Sequence, residues 1–269
     1  MTQPHYREYP ISAALAPFVK CIWSLESERS IDAAPRKRIL PDSCVELVFH
    51  FHDPFCTHFA NGKRDVQPQS FAVGQMRQFI EIAPRGRIGF VAVRFSARGA
   101  YRFLPGSLKA MAGQVVDIAE IWKRASSKLT DRIAMASTMT GRIAIVEKML
   151  LTVLADNRRE DLFVDRALQL IERNAGELKI ADLTSAVGTS TRQLRRRFEN
   201  AIGVSPKEFS RLTRFVNALR RLRERRQEPL AYVAAASGYY DQAHFNHEFL
   251  KLAGATPGEL LTGPNVAFR

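Results

Sequence analysis

Cysteine is scarce in this 269-residue chain, and the few present do not pair. Cys21, Cys44 and Cys56 are odd in number and form no C-x-x-C motif, which argues against a disulfide framework and against a four-thiolate zinc site. Acidic residues are also in short supply. Against 40 Lys and Arg there are 27 Asp and Glu, a formal charge of +13, and such a balance favours polyanionic partners. No apolar run approaches the ~18–20 residues of a membrane span. The opening MTQPHYREYP lacks the basic-then-apolar order of a secretory signal. The expectation is a soluble, cytoplasmic protein with no membrane partner.

Enzyme signatures are missing too. No G-x-S-x-G elbow is present, so nucleophilic catalysis has no sequence support, and neither a catalytic residue nor a cofactor is assigned. His50, His52 and His58 near Asp53 invite a cupin-like metal module, possible seat of an enzyme, because His-x-His on a strand puts both rings on one face. That pattern also wants a nearby Glu and a distant third His, and no His occurs between 58 and 244. No metal ligand set is therefore assigned.

What is present reads as two halves. The 46% apolar content is that of an ordinary globular chain, and the length suits two domains. Up to about Gly113 the pattern is β. Cys44–Phe51 alternates, with Val45, Leu47, Phe49 and Phe51 on one side and Cys44, Glu46 and His50 on the other. Phe18–Leu25 and Ile88–Phe95 are likewise rich in aromatic and β-branched residues. Short strands punctuated by turn signals suggest a sandwich or small barrel. From about Val115 the pattern turns helical. Within 141–155 two stripes, Ile145/Met149/Val153 and Val146/Leu150/Leu154, suit either packing on the chain's own β domain or a dimer contact. Polar residues 155–161 form the candidate linker.

Charge density rises sharply afterwards, to a net +9 within residues 192–226. Ile180–Val187 reads as a short helix, Gly188 as its turn and Ser190 as the cap of the next helix. That helix, Thr191–Ile202, aligns Leu194, Phe198 and Ile202 at i, i+4, i+8 and leaves Arg192, Gln193, Arg195, Arg196, Arg197 and Asn200 elsewhere. This is a helix-turn-helix pattern. It recurs as Leu230–Ser237, Gly238 and Asp241–Ala253, with Phe245, Phe249 and Leu252 inward and Gln242, Ala243, Asn246 and His247 outward. Between the units Pro206–Arg226 reads as one helix with a stripe of Phe209, Leu212, Val216, Leu219 and Leu222. A helix of ~20 residues is ~30 Å long, close to the ~34–36 Å between successive major-groove faces.

Several ordered residues carry a resemblance. They are Leu183, Gly188, Ser190, Leu194, Phe198, Gly203, Ser205-Pro206, Arg214, Ala234, Gly238-Tyr239, Asp241-Gln242, His244-Phe245, Phe249, Gly254 and Thr256-Pro257. The stretch from Leu183 to Leu261 resembles the DNA-binding domain of AraC/XylS-type transcriptional regulators. The front half, through Tyr9, Leu15-x-Pro17, Trp23, Leu40-Pro41-Asp42, Gly74, Val93-x-Phe95 and Gly99-Ala100, is similar to the β-rich sensor-like domain often found ahead of that module.

The resemblance implies an α+β chain of two domains: a β-sandwich or barrel with trailing helices over 1–157, and an all-α double helix-turn-helix over 160–263. It implies binding to double-stranded promoter DNA, with RNA polymerase, a small-molecule effector and a homodimer as further partners. Base readers fall on Arg192, Arg195 and Arg196, and on Gln242, Ala243, Asn246 and His247. Arg suits guanine and Asn or Gln suits adenine. His247 stands where Arg is common in the family. Gln193, Arg197, Asn200, Lys207 and Arg211 are the expected phosphate contacts. Arg94-x3-Arg98 is similar to the arginine pair of PilZ-type cyclic-diguanylate receptors, which leaves a phosphate-bearing effector as an alternative.

Overall fold

The computed structural model describes residues 4–31, 35–59, 61–122, 124–157, 159–262 and 266–267. Among these, the first 117 residues contribute ten strands: β1 (His5–Tyr9), β2 (Val19–Ser30), β3 (Lys37–Ile39), β4 (Glu46–His50), β5 (Cys56–His58), β6 (Arg64–Val66), β7 (Ser70–Val73), β8 (Ile80–Ala83), β9 (Arg87–Phe95) and β10 (Val115–Asp117). An eleventh, β11 (Val266–Ala267), comes from the far end of the chain. One sheet has the order β1-β2-β9-β4-β7-β10, with antiparallel neighbours throughout. The other has the order β11-β3-β8-β5-β6, antiparallel except for the parallel pairing of β11 with β3.

Both sheets are open, so of the two expected architectures the sandwich is correct and the barrel is not. Closure would require β1 and β10, the two edges of the larger sheet, to pair. Instead β10 has only three residues and runs directly into α2 (Ile118–Trp122).

Alternation along β4 and β9 explains why both strands are buried on both sides. Val45, Leu47, Phe49, Val91, Val93 and Phe95 face a layer of helices. Val48, Phe90 and Ala92 join Trp23, Phe55 and Phe71 between the sheets. The helical layer consists of α1 (Ala100–Phe103), α2, α3 (Arg124–Met135) and α4 (Met139–Asp156), with a 3-10 turn at Leu108–Met111. Ile143, Val146 and Leu150 of α4 are buried in this core, while Ile145, Met149 and Val153 are half-buried. Helix α4 thus packs on its own sheet. Arg158 of the candidate linker lies outside the described residues.

The remaining helices are α5 (Leu162–Arg173), α6 (Ile180–Val187), α7 (Thr191–Ile202), α8 (Pro206–Glu224), α9 (Leu230–Ala235), α10 (Gln242–Ala253) and α11 (Pro257–Thr262). They enclose two cores. Val164, Leu168 and Ile171 of α5 meet Leu183, Leu194, Phe198, Ile202 and Phe209. Leu212, Phe215 and Leu222 of α8 meet Val233, Phe245, Phe249 and Leu252. Helix α8 is the rod common to both, started by a capping box of Ser205 and Glu208 with Pro206 in the first turn. Its buried line differs from the expected stripe: Phe215 and Ala218 are buried, whereas Val216 and Leu219 are half-buried. Those two line a cavity of about 290 Å³ that α8 shares with Ile39, Leu40 and Val73 of the front domain. No helix among the described residues is long and apolar enough to cross a membrane.

Candidate nucleic-acid interface

The first unit is built by local rules. Gly188 adopts φ +72 and ends α6 in the left-handed conformation that glycine tolerates best. The Ser190 hydroxyl accepts from the Gln193 N–H at 3.3 Å and caps α7. Leu194, Phe198 and Ile202 are buried, so Arg192, Gln193, Arg195 and Arg196 are left exposed near the N-terminal end of α7. That end is where a recognition helix meets base edges.

The second unit repeats the device. Gly238 has φ +73, and the Asp241 carboxylate accepts from the His244 N–H at 2.7 Å. Phe245, Phe249 and Leu252 are buried. Gln242, Ala243 and His247 are exposed, and Asn246 is half-buried with a side-chain oxygen that has no partner among the described residues. Tyr240, which sequence reasoning passed over, is 93% exposed just ahead of the α10 cap. An aromatic next to the Asp241 cap was the available signal.

Several expected phosphate contacts are engaged inside the molecule. Arg197 donates from Nε to Asp161 at 2.7 Å and lies over the Phe163 ring at 4.3 Å. Asn200 donates to the Tyr101 hydroxyl at 3.3 Å. Arg211 lies 3.5 Å from the Glu248 carboxylate. Arg195, an expected base reader, donates to Glu199 at 2.7 Å, and Lys109 holds the other oxygen of Glu199 at 2.8 Å. These two bonds pull the Glu199 carboxyl below its ordinary range. Lys207 is exposed.

The front domain grips both α7 and α10 at their C-terminal ends. At α7, Gly203 has φ +98, and a Cβ there would sit 3.0 Å from the Leu108 carbonyl oxygen. At α10, Arg38 donates to the carbonyls of Ala253 and Gly254 at 3.0 and 3.2 Å. The Phe79 N–H donates to Leu252 O at 2.8 Å. The Phe79 ring packs so closely on Gly254 that a Cβ would lie 2.3 Å from it. A guanidinium at a helix C-terminus is favourable because the last carbonyls lack partners and carry the negative end of the helix dipole. These tertiary contacts have no local sequence signal.

The remaining candidates in the front domain do not converge. Arg94 is buried against Glu46 at 2.8 Å and Asp42 at 3.5 Å, and Trp23 Nε1 donates to the same Glu46 at 3.3 Å. Arg98 instead lines a separate cavity with Tyr101 and Arg102. The two arginines therefore do not form a fork on one ligand. Nor do the histidines share a face. His50 is 1% exposed, bonded through Nε2 to Gln67 at 3.1 Å and ringed by Phe55, Phe71 and Phe90. Burial lowers its pKa to about 4. β4 ends at His50, and His52 lies beyond it against Gly89. Among the described residues no three His, Cys, Asp or Glu come together as a metal site.

Comparison with known proteins fits this geometry. Residues 183–263 match the family described as a helix-turn-helix domain, and residues 7–117 match a domain of unknown function (DUF6597). The transcriptional activator NphR of a Rhodococcus species is 26% identical over 239 residues, which is 87% of this chain. The match covers 64% of NphR, so the chain spans less than two thirds of that relative. A structure of ToxT from Vibrio cholerae aligns with a TM-score of 0.48 and 10% identity, over 96% of this chain and 98% of ToxT. ToxT bound to an unsaturated fatty acid aligns with a TM-score of 0.45 and 10% identity, over 97% of each chain. With two capped helix pairs strung on α8 and the family match lying on the same residues, the carboxy-terminal part of this chain is a helix-turn-helix domain carried behind a β-rich domain.

Proposed function

We propose that the protein is a sequence-specific DNA-binding transcription regulator that reads two successive major grooves with α7 and α10. The observation that carries this reading is the repeated unit on a single rod: two capped helices, each with its C-terminal end docked and its N-terminal end exposed. Arg192, Arg195 and Arg196 are the first helix's base readers, and Gln242, Ala243, Asn246 and His247 the second's. Gln193 and Lys207 hold phosphates from the unbound arrangement. Arg197, Asn200 and Arg211 join them only by leaving Asp161, Tyr101 and Glu248. The division falls near residues 157–160, and the protein acts in the cytoplasm without enzymatic activity of its own. RNA polymerase and a second copy of the chain are its further macromolecular partners.

Control runs through the β-rich domain, since that domain holds both reading helices. A small molecule that prefers one docking arrangement shifts the DNA-competent fraction by its differential affinity alone. Selection of random duplex oligonucleotides by the full-length protein tests the reading. The expected product is a bipartite site with half-sites about 10 bp apart. Affinity falls by about 10³-fold or more between 50 and 200 mM salt if six or more phosphates are held. Failure to enrich any sequence, together with a flat salt dependence, overturns it.

A further inference from the structure

A cavity of about 260 Å³ lies where the front domain, the junction segment and the first helix-turn-helix unit meet. Its charged lining is balanced: Arg98, Arg102 and Arg159 against Glu160, Asp161 and Asp165. Four of these six are already engaged. Arg102 is bonded to Glu160 at 2.7 Å, and Asp161 to Arg197 at 2.7 Å. Arg159 donates to the carbonyls of Leu104 and Gly106, both at 2.7 Å, while stacked over Tyr101 at 3.8 Å.

Two charges are left over. The Arg98 side chain donates only from Nε, to Pro17 O at 3.3 Å, and its terminal nitrogens have no partner among the described residues. The Asp165 carboxylate has no hydrogen bond or ion pair among them either, and burial raises its pKa. Arg98 is near enough to act on Asp165 electrostatically, yet the two are not joined. Arg98 is exposed and Asp165 half-buried, and they face one cavity without a bond between them: the anion is under-satisfied, and the guanidinium's terminal nitrogens are open to a ligand.

We propose that this cavity binds a free α-amino acid, with its carboxylate on the Arg98 guanidinium and its ammonium on the Asp165 carboxylate. The gap calls for a molecule that carries both charges. A simple carboxylic acid would satisfy Arg98 and leave Asp165 unpaired, and an amine would do the reverse. A phosphate brings extra negative charge into a lining that is neutral overall and holds three acids. Phe18 and Tyr101 also line the cavity, their rings already covered by Arg102 and Arg159 at 5.1 and 3.8 Å. The volume lies below the ~300–1,000 Å³ of pockets for drug-sized ligands, as suits a molecule this small.

The site's position gives it a regulatory use. Asp161 and Tyr101 line the cavity and also hold Arg197 and Asn200 of α7. An occupant that shifts either one changes how α7 is held, and by linkage DNA would change the occupant's affinity by the same factor. This coupling rests on the DNA-reading role proposed for α7, whereas the binding itself does not.

The test therefore uses the full-length protein without DNA. Calorimetric titration with each of the twenty common amino acids is compared with matched amines lacking the carboxylate and matched acids lacking the amine. At least one amino acid is expected to bind, and both of its one-charge counterparts to bind about tenfold or more weakly, a difference of at least ~1.4 kcal/mol. Arg98→Gln and the isosteric Asp165→Asn should each cause a loss of that size. Circular dichroism melting checks that both variants are folded. Silence from all twenty at millimolar concentration overturns the proposal, as does an acid that binds as well as its amino acid or an Asp165→Asn protein that binds like the parent. Amino-acid binding by a protein that ignores DNA would sink the regulator reading and leave this site standing.

Discussion

The two helix-turn-helix units are alike in plan and opposite in chemistry. Helix α7 presents arginines, and side-chain pairs tie it to its surroundings: Lys109 to Glu199, Asp161 to Arg197, Tyr101 to Asn200. Helix α10 presents Gln242, Ala243 and His247. Its tether is to main-chain carbonyls, through Arg38 and the Phe79 N–H, with the Phe79 ring seated on Gly254. The first unit is thus suited to supply charge-driven affinity through a contact that salt weakens. The second is suited to supply discrimination through a contact that salt barely touches. One scaffold can separate strength of binding from choice of sequence by varying only the exposed helix face and what caps the far end.

The most severe break is removal of the second unit's core. Phe249 is fully buried against Phe215 and Phe245, with ring centroids 4.8 and 4.5 Å away. Phe249→Ala is expected to cost about 3–5 kcal/mol, measured by urea unfolding. Footprinting should then lose the α10 half-site and keep the α7 half-site. Loss of both at once would show the units to be one cooperative body. Next comes Gly254→Ala, which puts a Cβ into the Phe79 ring at a residue with φ +67. The left-handed conformation alone costs ~1–2 kcal/mol for a residue other than glycine. The loss should appear as faster hydrogen exchange in α10, with α7 unchanged.

Both units could be read from the sequence because their rules are local. Ser190 and Asp241 cap, Gly188 and Gly238 turn, and the i, i+4, i+8 apolar lines bury as that spacing requires. Helix α5 carried a similar signal, the Asp161 cap followed by Val164, Leu168 and Ile171, but without a partner motif it did not stand out. The buried line of α8 is rotated from its apparent stripe because Val216 and Leu219 turn toward the front domain, and tertiary packing decides that. Arg197 and Asn200 have the character of phosphate contacts, yet their partners Asp161 and Tyr101 lie 36 and 99 residues away in sequence. Open sheets and closed barrels have the same strand pattern, since the difference lies only in whether β1 and β10 meet. For the histidines, alternation misled because β4 stops at His50.

Single reader substitutions sharpen the contrast. Arg195→Ala and Gln242→Ala should each cost about 1–3 kcal/mol on the selected site and relax selectivity at one base pair. Only Arg195→Ala removes a cation from beside the polyanion, so only it should also lower the salt slope. The arginine must first leave Glu199, but that pair is exposed on the arginine side, and such pairs are worth ~0–1 kcal/mol. Binding isotherms at four or five salt concentrations separate the two effects. Equal slopes for the two variants would erase the distinction between a charged and a neutral reader.

The mildest test uses protons. Hydrogen bonds from Lys109 and Arg195 hold the Glu199 carboxyl below its ordinary value. The stability this gives is fully present above the ordinary Glu value of ~4.3. It is lost as pH falls through the lowered folded value, because the unfolded chain takes up the proton first. The corresponding tether on α10 accepts at the carbonyls of Leu252, Ala253 and Gly254, which do not titrate in this range. Acidification should therefore loosen the last turn of α7 before that of α10. Hydrogen exchange compared between pH 6 and pH 3.5, corrected for intrinsic rates, should show lost protection at Asn200 to Gly203 and little change at Leu252 to Gly254. Lys109→Met should produce part of the same loss at neutral pH. If both turns soften together, the side-chain pairs are not what holds α7, and the difference between the units is confined to their exposed faces.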